Sequence, residues 1–67
     1  MHADEDHREV AASLDAVGKS YAKLQQHQEA LEYMLLALSM WQRIYPDDHP
    51  LVAASLYSVG CTHTKLG

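Results

Sequence analysis

An internal repeat limits what this chain can fold into. His7, Val10, Ala11, Ala12, Ser13, Leu14, Val17, Gly18, Lys23 and Leu24 recur 42 residues later as His49, Val52, Ala53, Ala54, Ser55, Leu56, Val59, Gly60, Lys65 and Leu66. Asp6 likewise recurs as Asp48. So many coincidences at one offset do not arise by chance. A unit of this length is one supersecondary element, and it buries its apolar face only by stacking on a neighbour. The chain holds one full unit and the first part of a second, about one and a half repeats.

Within each unit the apolar residues follow a helical period. Val10, Ala11, Leu14, Val17, Gly18, Tyr21 and Leu24 fall on one arc of a helical wheel, with Asp15, Lys19 and Lys23 on the other side. This predicts a first helix over about residues 8–24. Asp6 and Glu9 suit its start, where negative charge meets the positive end of the helix dipole. Residues 4–7 read as the tail of a preceding linker. Gln25-Gln26-His27 is a short polar break. Ala30, Leu31, Met34, Ala37, Leu38, Trp41 and Tyr45 then mark a second helix over about 28–44. The linker 45–49 contains Pro46-Asp47-Asp48-His49, and Pro50 follows at the first helical position with His49 or Asp48 as cap. The third helix, about 50–66, repeats the first, and Gly67 suits its end. Nothing reads as a strand. The expected fold is all-α: a single domain over residues 1–67, built as three antiparallel helices joined by short breaks. Gly18 and Gly60 sit inside helices, where glycine costs about 1 kcal/mol against alanine. Their shared repeat position points to a partner helix that approaches the bare backbone closely.

Size and charge narrow the function. A 67-residue chain has a small core, and chains of this size usually need a staple. Cys61 is the only cysteine, so no disulfide forms within one chain. Well-packed helices, or association with other copies, remain as sources of stability. The formal net charge of -4 repels phosphate backbones, which argues against nucleic-acid binding. The polar opening Met1-His2-Ala3-Asp4-Glu5-Asp6-His7 has no signal-peptide pattern. The longest apolar run, Tyr33 to Leu38, is far too short for a membrane span. A lone cysteine fits a reducing compartment, so a cytoplasmic location is expected.

The pattern resembles the tetratricopeptide repeat family. In that family a bulky residue, a second bulky residue three positions on, a small one and then an aromatic mark the first helix. Here these are Leu14, Val17, Gly18 and Tyr21. Ala30, Met34 and Ala37 match the second helix, and Leu56, Val59, Gly60 and His63 open the second unit. His63 stands where an aromatic is usual, and Gln25 where a turn glycine is usual. The long period and the Asp47-Asp48-His49-Pro50 linker resemble the kinesin-light-chain-like subclass, across residues 6–67. Kinesin light chain repeats commonly carry two asparagines where this chain has Asp15-Ala16 and Tyr57-Ser58. The resemblance implies a piece of an α-solenoid scaffold that binds a protein or peptide on its concave face. It also implies that the first helices of successive units line that face. The groove candidates are then Asp15, Lys19 and Lys23 with Tyr57, Cys61 and Lys65, among small floors such as Ala12 and Ala54.

Two other functions compete with a peptide groove. Leu35 and Leu36 occupy positions where relatives carry charged or amide side chains, and Trp41 one where they often carry arginine. The third helix has no second helix of its own unit to cover Leu56 and Val59. The alternative is therefore a self-associating unit, a homo-oligomer that covers Leu35, Leu36, Trp41, Leu56 and Val59, with exchange of a helix across Pro46–Pro50 as one form of it. The weakest reading is metal or redox binding. His49 and His63 are about 20 Å apart along a helix, and His2 and His7 lack the spacing of a helical metal pair. Cys61 is expected to be a buried or half-buried small residue. No nucleophile–base set and no phosphate loop is present, so neither enzyme activity nor a metal or other cofactor is expected.

Overall fold

The computed structural model describes residues 3–67, with side chains from His7 onward. It is three helices in series: α1 (Ala3–Lys23), α2 (His27–Ile44) and α3 (Pro50–Leu66). The Asp6 and His2 side chains lie outside the described residues. No strand occurs among the described residues. Helix α2 is the middle member, packed on α1 on one side and on α3 on the other.

Helix α1 starts at Ala3 rather than near residue 8, so residues 4–7 are helix and not linker. The repeat supplies the reason. Asp4 and Arg8 stand where the second unit has Pro46 and Pro50, so nothing in the first copy breaks the helix. At its other end α1 closes with two bonds to carbonyls of its last turn. The Gln26 amide donates to Tyr21 O at 2.9 Å and the Gln25 amide to Ala22 O at 3.0 Å. This double closure places the residue after the cap in the left-handed region, and Gln25 is there with φ 68°. Glycine would occupy that backbone without its Cβ penalty, which is about 1–2 kcal/mol.

The link from α2 to α3 is pinned by ring stacking and a cap. Tyr45 is extended after α2, and its amide still donates to Trp41 O. The Tyr45 ring stacks on Trp41 with centroids 5.9 Å apart and on His49 at 3.8 Å. His49 then caps α3: its Nδ1 accepts from the Leu51 amide at 3.1 Å, with Pro50 in the first turn.

The core is Ala11 from α1, Ala37, Leu38 and Trp41 from α2, and Val52 from α3. Leu14, Met40, Ile44, Tyr45 and Val59 pack around it. Met34 joins the three helices at the other end. Its Cγ lies against Gly18 of α1, and its sulfur accepts a hydrogen bond from the Thr62 hydroxyl of α3 at 3.2 Å. Tyr21 stacks on Tyr33 nearby, with centroids 5.5 Å apart.

Equivalent residues of the two units are not equally covered. Val10 is 48% exposed while its copy Val52 is fully buried. Val52, Ser55 and Thr62 are buried against α2, which precedes α3. Among the described residues no helix covers the corresponding face of α1, where Val10 is exposed, and Val17 of the predicted stripe is exposed as well.

Candidate functional site

A cleft of about 240 Å³ opens between α1 and α3. Ala12, Asp15 and Lys19 line it from α1, and Leu51, Ala54, Ser55 and Ser58 from α3. Because α2 holds α1 and α3 apart, an edge of the otherwise buried Trp41 reaches the cleft floor. Small residues at Ala12 and Ala54 keep the cleft open; larger side chains there would fill it. Lys19 Nζ and Asp15 Oδ2 pair at 3.0 Å one helical turn apart. Such an exposed pair is worth roughly 0.2–1 kcal/mol, so it serves recognition more than stability. The arrangement is an apolar floor with polar handles at the rim, the general form of a site for a peptide side chain.

The structure brings Asp15 and Lys19 together in this cleft with residues that sequence reasoning did not assign to it. Trp41, Leu51 and Ser55 were missed as lining, since each belongs to a buried or linker-proximal position by pattern. Lys23, Tyr57, Cys61 and Lys65 do not line the cleft and are exposed elsewhere on their helices. Cys61 is exposed, not buried or half-buried. Its sulfur contacts Tyr57 one turn earlier; hydrogen bonding to Cys61 and its charge hold the Tyr57 hydroxyl above the ordinary phenol range.

Of the self-association candidates, Leu35 and Leu36 are exposed, as is Leu56. Val59 is half-buried against the core, and Trp41 is only 6% exposed. Trp41 is thus a core residue with one edge in the cleft rather than part of an outer surface. Among the described residues, no three of the His, Cys, Asp and Glu side chains converge as metal ligands. His27 Nδ1 is buried without a hydrogen-bond partner at the start of α2, and His63 is exposed on α3. No helix of the described residues is long and apolar enough to cross a membrane.

A family profile described as tetratricopeptide repeat matches residues 4–67. The chain belongs to the tetratricopeptide repeat family. No curated protein and no solved structure matches it. Tetratricopeptide repeats are in general scaffold modules for protein partners, and three helices with no strand among the described residues are consistent with a fragment of such a helical repeat.

Proposed function

We propose that this tetratricopeptide repeat segment is a protein-interaction module that holds an extended peptide in the cleft between α1 and α3. The observation that carries this reading is the cleft itself, with Trp41 and Leu51 in its floor and the Asp15–Lys19 pair and Ser58 at its rim. Its size suits one or two peptide side chains, with the rest of the ligand running along the face. The 42-residue period and the Asp47-Asp48-His49-Pro50 linker support the kinesin-light-chain-like subclass. The exposed thiol of Cys61 fits a reducing cytoplasm. The groove expected from the family pattern ran further, over Lys23, Tyr57, Cys61 and Lys65, and a long ligand would meet these residues beyond the cleft.

The test uses peptides selected on the full chain from a random library. Ala54→Leu fills the cleft, and Lys19→Gln removes its cationic handle. Each is expected to weaken the selected peptides about tenfold, equivalent to about 1.4 kcal/mol. Lys23→Gln, outside the cleft, is expected to change affinity by less than about twofold, equal to about 0.4 kcal/mol. Unchanged affinity for both cleft variants, with helicity retained, would remove the cleft as the binding site.

A second reading is favoured by the exposed apolar residues. Leu36 is 54% exposed on α2 and Leu35 lies beside it, while Leu56 is bare on α3. A module of this size gains stability by covering such surface with another copy. Light scattering over a wide concentration range is expected to show a dimer or larger species, and Leu36→Glu or Leu56→Glu should return it to monomer mass. A wild-type monomer at every concentration eliminates this reading.

A further inference from the structure

Helix α2 has two opposed faces. Ala30, Met34, Ala37, Leu38 and Trp41 are buried on one of them, toward α1 and α3. At about 100° per residue, Glu29, Glu32, Leu36, Ser39 and Arg43 fall on the other side. All five are exposed. Leu36 is 54% exposed, and Leu35 beside it is exposed as well. This face is turned away from both neighbouring helices.

Its order is self-complementary. Glu29, Leu36 and Arg43 follow one another at seven-residue intervals. Seven residues are close to two turns, so the three stand in line with a drift of about 20° per interval. Glu32 and Ser39 fall between them at the three-and-four spacing of a helix–helix seam. A two-fold axis at Leu36 carries Glu29 of one copy onto Arg43 of another, about 10 Å to either side. Two such helices laid antiparallel meet leucine to leucine at the centre and carboxylate to guanidinium at both ends. Ser39 of one copy comes beside Glu32 of the other, and its small side chain lets the helices approach. A parallel pair instead sets Glu29, Glu32 and Arg43 against their own copies, like charge on like, and aligns the two helix dipoles. Glu29, Glu32 and Arg43 form no ion pair among the described residues, so each is available to a second copy. The net charge of -4 on each copy is screened beyond about 8 Å at physiological salt, and pairs in contact are screened less.

We propose that two copies of this chain pair through this face of α2, antiparallel and two-fold about Leu36, with Glu29–Arg43 ion pairs at both ends. The proposal rests on the self-association reading above and specifies its surface and orientation. The contact is one helix face per copy, at the small end of protein interfaces, so the dimer is weak and concentration-dependent. Selectivity comes from the charge order, because a helix with a different order meets carboxylate on carboxylate.

Sedimentation velocity on the full chain at physiological salt gives the dimer dissociation constant, with helicity recorded on the same samples. Leu36→Glu should raise the constant about tenfold or more. Glu29→Arg and Arg43→Glu, each alone, should do the same, since each brings like charges together at both ends. Mixed in equal amounts, the Glu29→Arg and Arg43→Glu chains complement each other at both ends. Their heterodimer should form within about threefold of the wild-type constant. All these positions are exposed, so helicity should be retained. A wild-type chain that is monomeric at every concentration overturns this proposal and the self-association reading together. A wild-type dimer that Leu36→Glu and both charge variants leave intact overturns the proposal alone. If Leu56→Glu then dissociates that dimer, the interface lies on α3. Charge variants that dissociate but do not recover in the mixture also overturn it, because the charge order is then not what pairs the copies.

Discussion

Trp41→Ala is expected to leave the chain largely unfolded at room temperature. Trp41 is the largest side chain of the core, in a cluster to which all three helices contribute: Ala11 from α1, Ala37 and Leu38 from α2 and Val52 from α3. It also stacks on Tyr45, which in turn stacks on the α3 cap His49. Truncating a buried Trp costs about 3–5 kcal/mol, because transfer energy and a cavity are both lost. At 0.05–0.15 kcal/mol per residue a chain of this length has a total stability of about 3–10 kcal/mol. The loss is therefore comparable with the whole. Far-UV circular dichroism on heating should show a midpoint lowered by at least about 12 °C, taking about 4–8 °C per kcal/mol for a small domain. Trp41→Phe keeps most of the volume and should fall well short of that loss. Leu36→Ala, on the exposed side of the same helix, should move the midpoint by no more than a few degrees. A midpoint for Trp41→Ala that matches Leu36→Ala would mean that the core is not organised around this residue.

The helices were legible because their stripes were complete. Of the expected stripe Ala30, Leu31, Met34, Ala37, Leu38, Trp41 and Tyr45, all are buried on α2 except Leu31, which is half-buried, and Tyr45, which is half-buried just past the helix end. Pro50 was expected to open α3 with His49 or Asp48 as its cap, and His49 is the one that caps it. Helix α1 starts earlier than its polar first residues suggest, because Asp4 to Arg8 lacks the two prolines of the second copy, and without a breaker the helix runs on. Burial was the least legible property. Val10 and Val52 are the same residue at the same repeat position, yet one is exposed and one is buried. Val52 packs against α2, whereas no helix among the described residues covers Val10, and such tertiary neighbours are not encoded in any local pattern. The cleft shows the same limit. Asp15 and Lys19 could be placed from their helical side, but Trp41 reaches the floor only because α2 separates α1 from α3.

Gly18 and Gly60 offer the sharpest test of how one residue at one repeat position can have opposite effects. Leucine at position 60 meets open space, so the change removes the conformational freedom that glycine has in the unfolded chain and improves helix propensity. Gly60→Leu should stabilise the chain by about 0.5–1 kcal/mol in urea unfolding. Leucine at position 18 gains the same propensity but has no room. Its Cβ alone would sit 2.9 Å from Met34 Cγ and 3.1 Å from a backbone oxygen of α2. Met34 cannot swing away freely, because its sulfur is held by the Thr62 hydroxyl on its other side. Helix α2 must then move off α1, and overpacking of this kind costs about 1–3 kcal/mol and occasionally more. Gly18→Leu should therefore lower stability by about 2 kcal/mol or more net of propensity, within that overpacking range. A double-mutant cycle locates the clash. Adding Met34→Ala to Gly18→Leu removes the first close contact but not the Ala30 oxygen, so part of the loss should return, with a coupling of about 0.5–3 kcal/mol. Equal stabilities for Gly18→Leu and Gly60→Leu would show that α1 and α2 do not meet at this glycine.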